Sequence, residues 1–429
     1  MYEDWGFREA PFQTSSLRAD ETGDRLLVGR NEDVRQFGLH LSAPPRAVTV
    51  EGAIGVGKTS LVNVAIYRLL KRYIETGDGR LYVAAIEPLQ LSDEQPAEDF
   101  LDSVYSLLAR TLIHRATEIR EIGWSLPNSK PLNEWLNSPL IQRFGGTIGP
   151  AGFQRSAEIN DGVSYVRGGF RAEVRDWLQR VFPLGGGGGV VCLIDNLELL
   201  RTSARARQIV ENLRDPLFGI PGVRWVFCGA NGIARSVASS PRLEGYLHAP
   251  ISVSSLNEAS AREIFESRLD GYARWDIQGV PYLPLHSDSF VKLFDILGKN
   301  TRSALRYADT YCLAMAGRAK FSDYEKIREF EDWLSIESQN AYEDCDTQVG
   351  GRAWKLFDQA CAEVPEFGPG DFLNFGFQSS QAMVPHVASL EENGLVVSAV
   401  DDTDRRRRTI SITPKGWFVR LRRSVLGML

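Results

Sequence analysis

The 429-residue chain has few of the residues and patterns that mark secreted, zinc-binding or membrane proteins. Its five cysteines are dispersed without a CxxC pair, which argues against a disulfide framework or zinc site and is typical of a reducing cytoplasm. No run of about 18 apolar residues occurs, so we expect no membrane span. The opening residues, MYEDWGFREAPF, lack the basic and apolar regions of a signal peptide. We therefore expect a cytoplasmic protein.

Common hydrolytic motifs are also missing. The five histidines are dispersed, and neither HExxH nor Gly-x-Ser-x-Gly occurs. The net charge is −6, so the chain as a whole does not favour polyanions. One segment differs, because residues 405–429 contain eight basic residues and no acidic one. The basic residues are Arg405, Arg406, Arg407, Arg408, Lys415, Arg420, Arg422 and Arg423.

Apolar strand-like runs alternate with helical patterns, which predicts an α/β fold with a parallel sheet flanked by helices. The predicted strands are residues 47–50, 81–86, 190–194, 224–228 and 250–253. We expect a core over residues 1–254 with an N-terminal arm and an inserted hairpin region at 116–183, the hairpin itself spanning about 145–166. A helical lid and linker helix at 255–345 and a C-terminal domain at 346–429 follow. Within the lid, the capping signal at Ser260 predicts the start of a helix.

The strongest motif follows the first predicted strand. It reads Gly52-Ala53-Ile54-Gly55-Val56-Gly57-Lys58-Thr59 and matches G-x-x-x-x-G-K-[ST] in full. The glycines let backbone N–H groups converge on phosphate oxygens, and the following helix points its positive end at the same anion. Lys58 is expected to reach the β- and γ-phosphates, Thr59 to ligate Mg²⁺, and Ser60 to complete the ATP site.

Acidic and polar residues follow two further predicted strands. Asp195 ends the apolar run 190–194 and is expected to hold Mg²⁺ beside the loop. Asn196 stands where many related ATPases have a water-activating glutamate, so either Glu198 serves or hydrolysis is slow. Asn231 follows the fourth strand, where it could contact the γ-phosphate or simply form a turn.

Together these motifs resemble those of AAA+ or STAND-type ATPases, with the origin-recognition/initiator-like branch the closest match. The resemblance implies that Asn231 is sensor 1 and that Arg302, in Gly298-Lys299-Asn300-Thr301-Arg302, is sensor 2. It implies that Arg30, in Val28-Gly29-Arg30-Asn31-Glu32, lies near adenine. It further implies a trans-acting arginine finger before the fifth strand, for which Arg242 and Arg235 are the candidates.

The C-terminal segment has the pattern of a winged helix. Its recognition helix is expected at about 382–392, with Pro385 in the first turn, and a strand-turn-strand wing follows. Residues 405–408 would then lie on the wing and bind DNA phosphates, with Lys415 and the three later arginines adding contacts. The recognition helix is poor in basic residues, so His386, Gln381 and Ser389 are its best polar candidates. This predicts weakly sequence-specific binding to duplex DNA.

Two functional hypotheses remain open. In the first, the protein is an ATPase that couples its nucleotide state to DNA binding through the winged helix. In the second, it is a STAND-like regulatory or defence switch whose winged helix docks protein, with oligomerisation triggered by a partner. Asn196 and the long insert favour the second hypothesis, and the basic C-terminal segment favours the first.

Overall fold

The computed structural model describes residues 1–45, 47–77, 79–124, 126–136, 161–183, 188–200, 202–230, 232–274, 281–400 and 408–429. Three predicted site residues, Arg405, Arg406 and Arg407, lie outside the described residues, as does Asn231. Among the described residues, none of the helices is both long and apolar enough to cross a membrane.

A parallel sheet forms the centre of the N-terminal core. Its strands are β1 Ala47–Glu51, β2 Tyr82–Ala84, β3 Leu89–Gln90, β4 Gly189–Asp195, β5 Val223–Gly229 and β6 Ile251–Ser252. Their order is β2-β4-β5-β1-β6, and β3 extends the edge beside β4. The residues of β1, β4 and β5 are buried throughout, as expected for strands covered by helices on both faces. The carboxyl ends of β1 and β4 consequently meet on one side of the sheet.

Helices pack on both faces of this sheet. They are α1 Glu21–Leu26, α2 Asn31–Ser42, α3 Lys58–Thr76, α4 Ala97–His114, α5 Ala116–Glu121, α6 Lys130–Leu136, α7 Asp161–Val181, α8 Ser203–Phe218 and α9 Ile233–Ala238. A 3₁₀-helix at Leu197–Leu200 follows β4. Two apolar clusters result, one on each face of the sheet, and these hold the loops at its carboxyl edge in place.

A helical lid follows the core. It contains α10 Glu258–Tyr272, α11 Ser287–Ile296, α12 Thr301–Ala314 and the long α13 Asp323–Glu343. Its core includes Phe265, Phe290 and Phe294, and the N-terminal arm adds Phe7 and Phe12. The helix α13 starts with a capping box between Ser322 and Glu325.

The C-terminal unit has the element order of a winged helix. It comprises α14 Gly351–Glu363, β7 Glu366–Phe367, a 3₁₀-helix Pro369–Leu373, α15 Ser380–Glu392, β8 Val396–Val400, β9 Arg408–Ile412 and α16 Pro414–Val425. The three strands form an antiparallel sheet in the order β7-β9-β8. The last helix, α16, packs against α13 and thereby joins this unit to the lid.

Several local predictions were wrong. Residues 164–166, assigned to the inserted hairpin, lie in α7, and the rest of that hairpin up to residue 160 is largely outside the described residues. The helix predicted from Ser260 starts at Glu258, because the Asn257 side chain caps it by accepting from the Ser260 N–H. Pro385 lies two residues further into its helix than expected, in the second turn, because α15 starts at Ser380 with Ser379 as its cap.

Candidate functional site

The loop between β1 and α3 curls around the start of α3. Gly55 and Gly57 have φ values of +83° and +99°, which glycine adopts without the steric cost of a Cβ. Gly52 is also confined, because an added Cβ would lie 2.5 Å from the carbonyl oxygen of Val253. Local sequence thus dictates a turn that ends at the N-terminus of a 19-residue helix, where unpaired N–H groups and the helix dipole favour an anion.

The ammonium of Lys58 lies inside this turn. The residue is 7% exposed, and its Nζ donates to the carbonyl oxygens of Gly52 at 2.9 Å and Ala53 at 3.1 Å. These neutral acceptors leave the positive charge without a carboxylate partner among the contacts that hold it. A buried cation held in this way is suited to an anionic ligand.

Thr59 and Asp195 meet across the cleft. The Thr59 hydroxyl donates to Asp195 Oδ2 at 2.5 Å, and the other carboxylate oxygen accepts from the Asn196 N–H at 2.9 Å. Asp195 is 6% exposed at the end of β4, so the fold holds a buried carboxylate directly beside the phosphate loop. A hydroxyl and a carboxylate are hard oxygen donors of the kind that Mg²⁺ prefers.

Glu198 lies next to the same cleft in the 3₁₀-helix after β4. Its Oε2 accepts from the Ala230 N–H at 3.1 Å, which fixes the carboxylate between the ends of β4 and β5. Asn196 also lines the cleft, and its backbone has φ +56°, a left-handed conformation that asparagine tolerates better than most residues. The sharp turn at Asn196 is what redirects the chain so that Glu198 faces the cleft.

The cleft extends from the phosphate loop towards an apolar end. It encloses about 860 Å³ of space, including open solvent at its mouth. The apolar lining consists of Leu26, Leu27, Val28, Leu256, Ile264 and Leu305. These side chains come from α1, the lid and their flanking loops, so the lid completes the cleft.

Arg30 lines the cleft, but its guanidinium is already engaged. It donates to the Val56 carbonyl oxygen at 3.0 Å and pairs with Asp33 at 3.1 Å, and the residue is 4% exposed. Burial lowers the pKa of Arg30 despite the Asp33 carboxylate. These contacts brace the phosphate loop, and the position of Arg30 near adenine stays a prediction.

Ser60 also has a structural partner. Its Oγ accepts from the Leu17 N–H at 3.0 Å, and Asn63 of the same helix donates to the Leu17 carbonyl oxygen at 2.8 Å. These bonds draw the N-terminal arm over the start of α3, so that residues 14–17 line the cleft. Arg268, whose pKa burial lowers to about 10, anchors the arm further upstream through the carbonyl oxygen of Pro11 at 2.7 Å. The sequence predicted an N-terminal arm but not its place in the cleft, because residues 14–17 form no motif.

Arg302 reaches the cleft from the first turn of α12 in the lid. Its backbone N–H donates to the Gly55 carbonyl oxygen at 3.4 Å, and its side chain is exposed. The preceding Asn300 donates from Nδ2 to the Ile54 carbonyl oxygen at 2.7 Å. The lid is therefore hydrogen-bonded directly to the phosphate loop, and Asn300 is a contact that sequence reasoning did not identify.

The two finger candidates lie away from the cleft of their own chain. Arg242 is 73% exposed and lies 3.6 Å from the Glu211 carboxylate, while Arg235 pairs with Glu51 at 3.0 Å. A trans-acting role concerns a neighbouring subunit, so for Arg242 it stays a prediction.

Three of the four basic residues of α16 contact other protein groups, so they do not form the exposed basic surface that the sequence predicted. Arg423 is buried, donates to both carboxylate oxygens of Asp358 at 3.0 and 2.7 Å, and stacks over Trp354. Arg420 donates to the Asp358 carbonyl oxygen, and Lys415 lies 3.4 Å from the Asp344 carboxylate. The prediction that Arg423 contacts DNA phosphates was wrong, because its guanidinium faces the interior of the C-terminal unit.

The helix α15 likewise offers little positive charge. It contains no lysine or arginine, and its exposed residues include Gln381, Val384 and Pro385. His386 and Ser389 are partly buried, and the His386 ring lies against Phe377 at 5.4 Å. The described residues of α15 therefore contribute no lysine or arginine to a nucleic-acid interface.

Neither a family model nor a curated protein matches the sequence. Among solved structures, the chain is similar to the ORC1 protein of Aeropyrum pernix in complex with DNA, at 14% identity over 99% of each chain and a TM-score of 0.46. It is also similar to the ORC2 protein of the same organism in ADPNP–ADP complexes, at 12% identity over 98% of each chain and a TM-score of 0.46. For Cdc6p of Pyrobaculum aerophilum the identity is 14%, the coverage 98% and 100%, and the TM-score 0.40.

Proposed function

We propose that the protein binds ATP with Mg²⁺ in this cleft and uses the nucleotide as a conformational switch. The observation that carries the proposal is the meeting of three groups, the Lys58 ammonium, the Thr59 hydroxyl and the Asp195 carboxylate, around the glycine-rich turn. The turn supplies backbone donors for phosphates, and Lys58 supplies the charge that the phosphates require. The apolar end of the cleft accepts the base.

Magnesium fits the oxygen donors at the base of the turn. Thr59 Oγ1 and Asp195 Oδ2, now hydrogen-bonded to each other, would hold the ion directly or through water. When bound, Mg²⁺ neutralises charge on the phosphate oxygens and polarises them. Gly52, Gly55, Val56 and Gly57 would supply the surrounding backbone, with Ser60 contributing indirectly by holding the arm.

Hydrolysis is assigned to Glu198 and is expected to be slow. The Glu198 carboxylate lines the cleft and has one oxygen held by the Ala230 N–H, so the other can orient a water molecule. Asn196, which follows Asp195 directly, has no carboxylate for this task. Arg302 and Asn231 would stabilise charge on the γ-phosphate, as the family resemblance implies.

The output of the switch is assigned to the C-terminal unit. Residues 405–408 supply four consecutive arginines between β8 and the start of β9, and such a cluster can grip duplex DNA phosphates without reading sequence. The second candidate is a STAND-like regulatory role in which this unit docks protein. It is favoured by the absence of lysine and arginine from α15 and by the pairing of Lys415 and Arg423 of α16 with carboxylates.

The magnesium dependence of ATP binding tests the proposal. ATP affinity should be higher with Mg²⁺ than with excess EDTA, and Thr59→Val should remove that difference while keeping the shape of the side chain. Isothermal titration calorimetry of the full chain gives both affinities. Equal ATP affinity with and without Mg²⁺ in the wild type, or an unchanged magnesium effect in Thr59→Val, would contradict the metal assignment.

A further inference from the structure

A short segment that follows α11 and includes the first two residues of α12 connects the phosphate loop with the C-terminal unit. We call these residues, 298–302, the strap. Two successive residues, Gly298 at φ +65° and Lys299 at φ +61°, are in the left-handed region. This conformation is unfavourable for lysine by comparison with glycine. The strap therefore has a sharply bent backbone that surrounding contacts hold in place.

One end of the strap is fixed to the phosphate loop. The Asn300 side chain makes two hydrogen bonds: Oδ1 accepts from the Ser303 N–H at 3.0 Å and caps α12, and Nδ2 donates to the Ile54 carbonyl oxygen at 2.7 Å. The approach is close, because a Cβ added to Gly55 would lie 2.6 Å from Asn300 Oδ1. Any change in the loop when phosphates bind must therefore shift Asn300 or break its bond.

The other end of the strap rests on the C-terminal unit. Gly298 lies against the indole of Trp417 in α16, and a Cβ added to Gly298 would lie 2.7 Å from the indole Cζ2. The glycine is thus required both for its backbone conformation and for this approach. Trp417 is the residue through which α16 meets the strap.

The helix α16 belongs to two cores at once. Phe418 lies in the apolar core of the lid, where its ring is 4.8 Å from that of Tyr307, while Val419 lies in the core of the C-terminal unit. A displacement of α16 relative to the lid consequently disturbs both cores. Close-packed cores transmit such displacements because they deform little.

We propose that the strap is the mechanical link through which the phosphate loop sets the position of the C-terminal unit. Asn300 acts as a positioning residue for the loop, and the Gly298–Trp417 contact passes its movement to α16. The inference rests on the proposed nucleotide-binding function and deepens it. Linkage is reciprocal, so a change at Trp417 must alter nucleotide affinity although Trp417 does not line the cleft.

The first test exploits two glycines with similar backbone conformations. Gly298→Ala introduces a Cβ against Trp417, whereas Gly317→Ala, at φ +79°, introduces one that meets nothing within 4 Å. We expect ATP affinity to change about fivefold or more in Gly298→Ala and to stay within about twofold in Gly317→Ala, since typical couplings are of that size. Calorimetric titration of each folded full-length variant with Mg²⁺-ATP measures the difference.

A second pair of variants keeps the test independent of strain at Gly298. The serine in Asn300→Ser can still cap α12 but is too short to reach the Ile54 carbonyl oxygen. The control is Asn257→Ser, which alters the comparable cap of α10. Among the described contacts, Asn257 makes no hydrogen bond to the phosphate loop. In the wild type, ATP should slow hydrogen–deuterium exchange in peptides covering α16. Asn300→Ser should lose this response while retaining ATP binding weakened by about three- to tenfold, and Asn257→Ser should keep the response.

The outcomes separate the two levels of the proposal. Absence of ATP binding by the wild type would overturn the proposed function and the role of the strap with it. Normal ATP binding, with equal affinity in Gly298→Ala and Gly317→Ala and an unchanged exchange response in Asn300→Ser, would overturn the role of the strap alone.

Discussion

The phosphate cleft and the C-terminal unit use their cations in opposite ways. In the cleft, the Lys58 ammonium is buried against neutral carbonyl oxygens and keeps its charge available for a ligand. In the C-terminal unit, the buried Arg423 guanidinium is matched by the Asp358 carboxylate and the Trp354 ring. Both residues are 7% exposed, so burial alone does not separate a binding cation from a structural one. The interaction partner distinguishes the two kinds of cation, because a buried cation that is already paired with a carboxylate gains little from a second anion.

The largest expected effect is at Lys58. Lys58→Ala removes a buried cation from the proposed phosphate site, which should weaken ATP binding by about 30-fold or more, because losing a desolvated charge contact costs on the order of 2–5 kcal/mol. Calorimetry on the purified protein measures this, with Lys71→Ala on the exposed side of the same helix as control. Similar affinities for the two variants would mean that Lys58 is a structural cation like Arg423.

The next effect concerns turnover rather than binding. Glu198→Gln retains an oxygen that can accept from the Ala230 N–H but cannot take a proton from water, so steady-state hydrolysis should fall by about 100-fold or more. ATP affinity should be unchanged, which separates Glu198 from Lys58. If phosphate release in Glu198→Gln matches that of the wild type, another group activates the water.

Arg423 is expected to affect stability and not ligand binding. Arg423→Ala breaks the bidentate pair and the stack on Trp354, leaving Asp358 without its partner, so the C-terminal unit should lose about 3 kcal/mol of unfolding free energy. Urea denaturation followed by tryptophan fluorescence measures the loss. A variant with wild-type stability but weakened duplex DNA binding would place Arg423 among the ligand-binding cations.

The smallest expected effect is on duplex DNA. Replacing Arg405, Arg406, Arg407 and Arg408 together by glutamine should reduce DNA affinity by about tenfold at moderate salt. The slope of log affinity against log salt concentration should become less steep by up to about four. ATP affinity should not change. Fluorescence anisotropy with a labelled duplex at several salt concentrations gives both quantities. Salt-insensitive DNA binding in the wild type, or none, would favour the protein-docking alternative for the C-terminal unit.

Much of the core was predictable because its signals are local. The five predicted strands lie within about two residues of the observed β1, β2, β4, β5 and β6, since each is a buried apolar run with clear ends. The phosphate loop was recognisable because Gly55 and Gly57 supply backbone conformations that few residues tolerate. The two-residue strands β3 and β7 were not predicted, although the equally short β6 was.

The partners of charged and polar side chains could not be predicted. Arg30, Ser60 and Arg423 all lie in segments that were assigned correctly, yet each contacts a residue 26 or more positions away in the chain. Asn300 was quoted only as part of a motif, and its bond to Ile54 spans 246 positions. Such pairings follow from how elements pack, and no local spacing encodes them.

The sequence by itself determined the parallel sheet, the glycine-rich turn and the placement of Lys58, Thr59 and Asp195 at the carboxyl edge of that sheet. These features follow from periodicity and backbone stereochemistry within short segments. Only the tertiary structure decided which cations remain available, how the arm and lid close the cleft, and that the strap lies between Gly55 and Trp417. The reason is physical: the free energy of a buried charge or a tight contact depends on neighbours that folding brings together from distant parts of the chain.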